Sequence, residues 1–148
     1  MKLFSILLVL LSLVSPVHSE PFRMTPPPAA VKAGKLTASD RILARAFKRK
    51  TSEFMIQFRG TVVSILSDDT VADRHQRFIV KLSSGQTLLI AHNIDLAPRV
   101  SPLNPTDKVT ILGEYIWNGE GGIIHWTHHD PDGSQPGGWI RRSGVTFR

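Results

Sequence analysis

The chain has 148 residues, a formal net charge of +6 and no cysteine. That length predicts one domain, and the missing thiols exclude disulfide staples, thiolate zinc sites and a lipidated cysteine anchor. Stability must come from packing, a metal or a partner.

Lys2 is a short positive region, and an apolar run extends from Leu3 to Val14, broken only by serines. Val17-His18-Ser19 offers tolerated residues for signal peptidase, so residues 1–19 read as a secretory signal peptide. The run is shorter than the roughly 20 residues of a membrane-spanning helix, so no integral membrane segment is expected after cleavage. The mature chain is expected in the periplasm or outside the cell. Residues 20–36, with Pro26-Pro27-Pro28 and few large apolar side chains, read as a proline-rich linker.

Residues 37–51 predict a basic amphipathic helix. Thr37 or Ser39 offers an N-cap, and Asp40 falls in the first turn. Ile42, Leu43, Ala46 and Phe47 share one face, while Arg41, Arg45, Lys48, Arg49 and Lys50 fill the rest. Either the helix docks on the barrel with its basic face solvated, or that face is a contact for an anionic ligand, nucleic acid or the envelope surface. From Pro21 to Arg59 there are nine Lys or Arg against two acids, +7; from Gly60 to Arg148 there are eight against nine, −1. The electrostatic argument therefore attaches to the N-terminal segment and not to the strands after it. Because strands begin only at Glu53, deleting Pro21 to Lys50 is expected to leave the rest folded.

From Glu53 the apolar period changes to two, and a long first strand runs to Leu66, with Gly60 marking a bulge where it can bend. A second strand spans Gln76 to Leu82, Ser83-Ser84-Gly85 makes a turn, and a third strand spans Gln86 to Ala91. Between Ile94 and Val100 only about a helical turn fits, bounded by Pro98 and Pro102. Lys108 to Trp117 is a fourth strand, Asn118-Gly119 a turn, and Ile123 to Thr127 a fifth strand. The remainder is a Gly-rich loop with a short edge strand at Val145 to Phe147. Five strands in this order, the first long and bent, predict a mainly β fold: a small five-stranded OB-like Greek-key barrel over residues 53–148, with one short N-terminal helix.

With these residues in view, the chain resembles an uncharacterised family of small exported bacterial proteins. The resemblance is carried by His75-Gln76-Arg77-Phe78, by the run Leu89 to Ala97, by Gly113-Glu114-Tyr115, by His125 to Pro131 and by Gly138-Trp139-Ile140. It covers roughly residues 53–142. It implies identity and fold, and transfers no activity.

Five of the six histidines lie beyond the signal peptide: His75, His92, His125, His128 and His129. All fall at strand ends or in loops, and antiparallel pairing would make His75 and His92 neighbours. Convergence at one rim would let His75, His92 and His129 hold a divalent metal, zinc or similar, with His125, His128 and Asp130 catalytic. His with Asp can instead act as a metal-free acid–base pair, or the imidazoles can simply bond the loops together. Arg77 and Lys81 share a strand face with His75, the face on which OB barrels bind oligonucleotides or sugars. Asn93 and Asp95 join the ligand-binding candidates, as do Trp117 and Trp126, which could stack rings; Trp126 equally suits the core beside Ile124. Trp139, between flexible glycines and Ile140, reads as a pin for the last loop. Two functions fit these residues. One is a metal-dependent hydrolase of phosphodiesters or another acidic substrate. The other is a non-catalytic OB module of the envelope that binds nucleic acid, glycan or protein.

Overall fold

A computed structural model describes residues 36–71 and 73–148. The predicted signal peptide and all but the last residue of the predicted linker lie outside them. Thr37 caps the helix α1 (Ala38–Arg49): its hydroxyl accepts the Asp40 amide, and the Asp40 carboxylate accepts the Thr37 amide, a reciprocal capping box. Lys50 ends the helix in the left-handed conformation. Leu43 and Ala46 are buried, whereas Ile42 remains 49% exposed and does not share the docking face expected of it.

The strands are β1 (Phe54–Ile65), β2 (His75–Lys81), β3 (Thr87–Asn93), β4 (Lys108–Ile116), β5 (Ile123–His125), β6 (Trp139–Arg142) and β7 (Val145–Phe147). Five of them close a barrel in the order β1-β2-β3-β5-β4 and back to β1, with β3 and β5 parallel and the other pairs antiparallel. This is the expected mainly β, OB-like barrel with one short helix. Its inside is filled by one alternating face of each strand, including Phe58, Val62, Phe78, Leu88, Ile90, Ile111, Tyr115 and Ile124.

β1 works in two halves. Phe54 to Thr61 pairs with β4, and Thr61 to Ile65 pairs with β2. The irregularity lies between Val62 and Ser64, not at Gly60 as the sequence suggested. Gly60 serves close approach instead, since a Cβ there would meet Val80 Cγ1 at 2.2 Å. Leu43 and Ala46 belong to the same core as the barrel residues. Trp117 locks the helix in place: its indole Nε1 donates to Phe47 O at 3.0 Å, and Lys50 sits 5.3 Å over its ring. The helix therefore shares the barrel's core, and deleting it would take Leu43 and Ala46 out of that core.

The sequence also reads as loop what folds as β6. β4 pairs along one edge with β1, while its other edge is shared: Glu114 to Ile116 faces β5, and Val109 to Leu112 faces β6. β5 and β6 thus act as one barrel strand, interrupted by an excursion over residues 126–138. The chain leaves at Trp126, with φ 52, and not through a strand extended to Thr127. It returns at Gly138, whose amide donates to His128 O at 2.7 Å. A Cβ on Gly138 would lie 2.0 Å from Trp126 O and 2.5 Å from Leu112 O, so only glycine closes this neck.

Candidate functional site

The β2–β3 register decides how the histidines meet. His75 pairs with Asn93 and Gln76 with His92, so His75 and His92 are one residue out of step and project to opposite sides of the ladder. His92 lies on the core side, fully buried. Its Nε2 is 3.1 Å from Pro98 O, and its Nδ1 is 2.8 Å from Thr127 Oγ1. A carbonyl can only accept, so Nε2 carries the proton and Nδ1 accepts from the Thr127 hydroxyl. Burial lowers the His92 pKa to about 4 against the opposing pull of the Pro98 bond, and the nearby His128 and His75 push the same way as burial. His128 is buried, its Nδ1 donates to His129 O at 2.7 Å, and its ring lies 4.8 Å from that of Trp126. His129 is exposed.

His92 thus has His128 and, across the ladder, His75 within electrostatic reach, and His125 is not among the groups that act on it. It faces outward from β5, with Nε2 2.9 Å from Glu114 Oε2. That nitrogen is out of solvent and makes no hydrogen bond of good geometry, so the contact is one of charge when the ring is protonated. Asp130 turns back on its own loop, accepting from the Asp132 and Gln135 amides and the Ser134 hydroxyl. These bonds, Gln135 foremost, hold its pKa below the usual carboxylate value. Among the described residues no group of three or more His, Asp or Glu side chains stands in metal-holding geometry.

The remaining candidates are engaged in local structure. Asn93 Oδ1 caps a turn by accepting the Asp95 and Leu96 amides. Asp95 pairs with Arg74, and that guanidinium lowers its pKa. Arg77 donates to Ser67 O at 2.9 Å. Trp117 secures α1, and Trp126 donates from Nε1 to Pro136 O at 3.1 Å, half-buried rather than in the core. The exposed basic face of α1 keeps Arg41, Arg45, Lys48, Arg49 and Lys50 in solvent.

Lys81 differs, because the register gives it company. Thr61 at the bend of β1 pairs with Lys81 on β2 and with Lys108 on β4. Two residues along, Arg59 pairs with Thr110, which pairs with Arg141 on β6. Paired residues project to the same side of a sheet. One row thus reads Lys81–Thr61–Lys108 and the next Arg59–Thr110–Arg141, cations alternating with hydroxyls. Neighbouring strands lie roughly 4.8 Å apart and the rows roughly 7 Å apart. Lys108 Nζ donates to Thr61 Oγ1 at 2.6 Å and Arg141 Nε to Thr146 Oγ1 at 3.2 Å. These side chains line a cleft of about 730 Å³ together with Ser83, Ser143 and Gly144. Among the described residues none of the four cations has a carboxylate partner; the acids pair with Arg74, Arg99, His125 and Arg142. In the row beyond, Trp139 pairs with Leu112, and Arg141 Cζ lies 4.8 Å over its ring.

Sequence reasoning found Lys81 and missed Arg59, Lys108 and Arg141. These lie on separate strands, Arg59 counted with the basic N-terminal segment and the other two hidden in a near-neutral sum from Gly60 onward. The sequence signal was outward parity, of Arg59 and Thr61 along the first strand and of Lys108 and Thr110 along the fourth.

A model of the family described as "Protein of unknown function (DUF3465)" matches residues 28–148. Comparison with curated proteins finds no match.

Proposed function

We propose, for a chain that belongs to the DUF3465 family and takes no activity from that description, that it is a non-catalytic OB-type module of the cell envelope. Its ligand is an extended polyanion, bound on the outer face of β1, β4 and β6. The observation that carries this reading is the sorting of charge: Arg59, Lys81, Lys108 and Arg141 line one cleft with hydroxyls between them. Like charges repel, so gathering four cations without acids costs stability unless an anion is bound there. The exposed basic face of α1 adds a second positive surface for a long ligand.

Metal-dependent hydrolysis at the histidines draws less support. His92 would have to give up its bonds to Pro98 and Thr127 to serve as a ligand. His125 and Asp130 are directed elsewhere.

Fluorescence anisotropy with labelled polyphosphate, heparin and a single-stranded oligonucleotide tests the reading. Affinity for at least one should fall steeply between about 50 and 200 mM salt. Lys81→Gln and Lys108→Gln should each weaken that binding and reduce the slope of log K against log salt by about 1. Binding that ignores salt, or that survives both substitutions unchanged, would sink it.

A further inference from the structure

We infer that the polyanion taken by this face is a single-stranded nucleic acid, with its phosphates across Arg59, Lys81 and Lys108 and a base stacked on the Arg141–Trp139 pair. The inference rests on the polyanion reading and adds the class of ligand.

Three observations carry it. First, the cations form two rows roughly 7 Å apart, each with a threonine, Thr61 or Thr110, between its two cations. That spacing is comparable to one phosphate-to-phosphate step of an extended strand, and each threonine hydroxyl offers a neutral donor between the charges. Second, the next row carries an aromatic ring that the core does not require. In β6 the inward position belongs to Ile140, fully buried, while Trp139 faces outward and is half-buried. A tryptophan on the outer wall of a barrel is a flat apolar surface that offers a face to stack on. Third, Arg141 Cζ sits 4.8 Å over that ring. A guanidinium stacks on an aromatic face while keeping its donors free at the edge. The pair thus joins a stacking surface to an anion contact in one place, and Leu112, opposite Trp139, widens the apolar part.

This combination distinguishes possible polyanions. Inorganic polyphosphate satisfies the cations and has nothing to place on the indole. A duplex keeps its bases stacked on each other, out of reach of a flat ring on a sheet. A single strand supplies both, because every base has a face to stack and every linkage has a charge.

The test is a competition on the intact protein. Labelled oligothymidylate is displaced by unlabelled oligothymidylate, by an abasic strand of the same length, by polyphosphate, by duplex of the same sequence and by heparin. The base-bearing strand should bind about tenfold more tightly than the abasic one, the gain expected from one stacked base. Trp139→Leu should weaken the base-bearing strand more than the abasic one and so remove that difference, while Trp139→Phe should restore part of it. Lys81→Gln should weaken both strands alike. Equal affinity of the two strands for the wild-type protein, a measurement that needs no variant, would overturn the inference and leave the polyanion reading in place. So would tighter binding of heparin or duplex than of the single strand. If none of the five competes or binds, the polyanion reading itself falls.

Discussion

His92 shows most directly how burial sets behaviour at the scale of one residue. Its folded pKa, about 4, lies below the ordinary value of 6.5. The unfolded chain therefore takes up a proton at a pH where the folded chain does not. The neutral ring contributes its full stability above about pH 6.5, and that contribution falls as pH drops towards 4, by up to about 3 kcal/mol at the end of the window. We expect urea midpoints of the wild type to decline from pH 7 to pH 4, and His92→Gln to be less stable at pH 7 but flatter across the window. An unchanged slope in the variant would show that other groups govern it. Gly138 is limited by space rather than charge. Gly138→Ala should cost about 3 kcal/mol, because the new methyl meets two backbone oxygens that cannot step aside. Gly119→Ala, with nothing within 4 Å, should change the melting temperature little. Thermal melts of the two variants side by side test both expectations.

Among the elements, α1 is where sequence and structure part company. An N-cap at Thr37 or Ser39 and the alternation of β1 to β4 could be read locally, because each depends on residues a few positions apart. What could not be read was which residues of the docked face enter the barrel core, Leu43 and Ala46 but not Ile42. Leu43 and Ala46 look like any amphipathic face until the core of the barrel is known to be open beneath them. Leu43→Ala should therefore destabilise the whole protein by about 2–5 kcal/mol in chemical denaturation, the cost of a core cavity. A loss under about 0.5 kcal/mol, typical of a surface site, would return the helix to the status of an appendage. β6 was missed for a related reason: four residues after a run of glycines carry no periodic signal of their own, and become a strand only because the free half of β4's edge waits for them. The same blindness to register hid the out-of-step pairing of His75 and His92. The histidine stretch was legible as unusual composition, but which ring faces the core depends on pairing.

For the molecule as a whole, helix and barrel share one hydrophobic core, so they should unfold as one. Far-ultraviolet circular dichroism and tryptophan fluorescence monitored through a urea titration should give coincident midpoints. An earlier loss of the helical signal would mean that α1 detaches before the barrel opens. Charge is arranged on a different plan from packing. The acids between Gly60 and the C-terminus lie on loops and on the β4–β5 pair, where Asp68, Asp95, Asp107 and Glu114 meet Arg99, Arg74, Arg142 and His125. Of the cations left over, Lys81, Lys108 and Arg141 share one wall with Arg59. No composition window along the chain can report this, since the four residues are supplied by β1, β2, β4 and β6 in turn.

The interrupted barrel strand has a consequence for what the fold tolerates. Both feet of the excursion over residues 126–138 stand on β4, one where His125 meets Glu114 and the other where Trp139 meets Leu112. Strand order and stagger are fixed by those two footings and by β1, not by the length of chain between them. The tip, from Pro131 to Pro136, is exposed throughout. It is thus a natural grafting point: a foreign peptide or a fluorophore-bearing segment placed after Asp132 would ride outside the closed wall, held at a narrow neck.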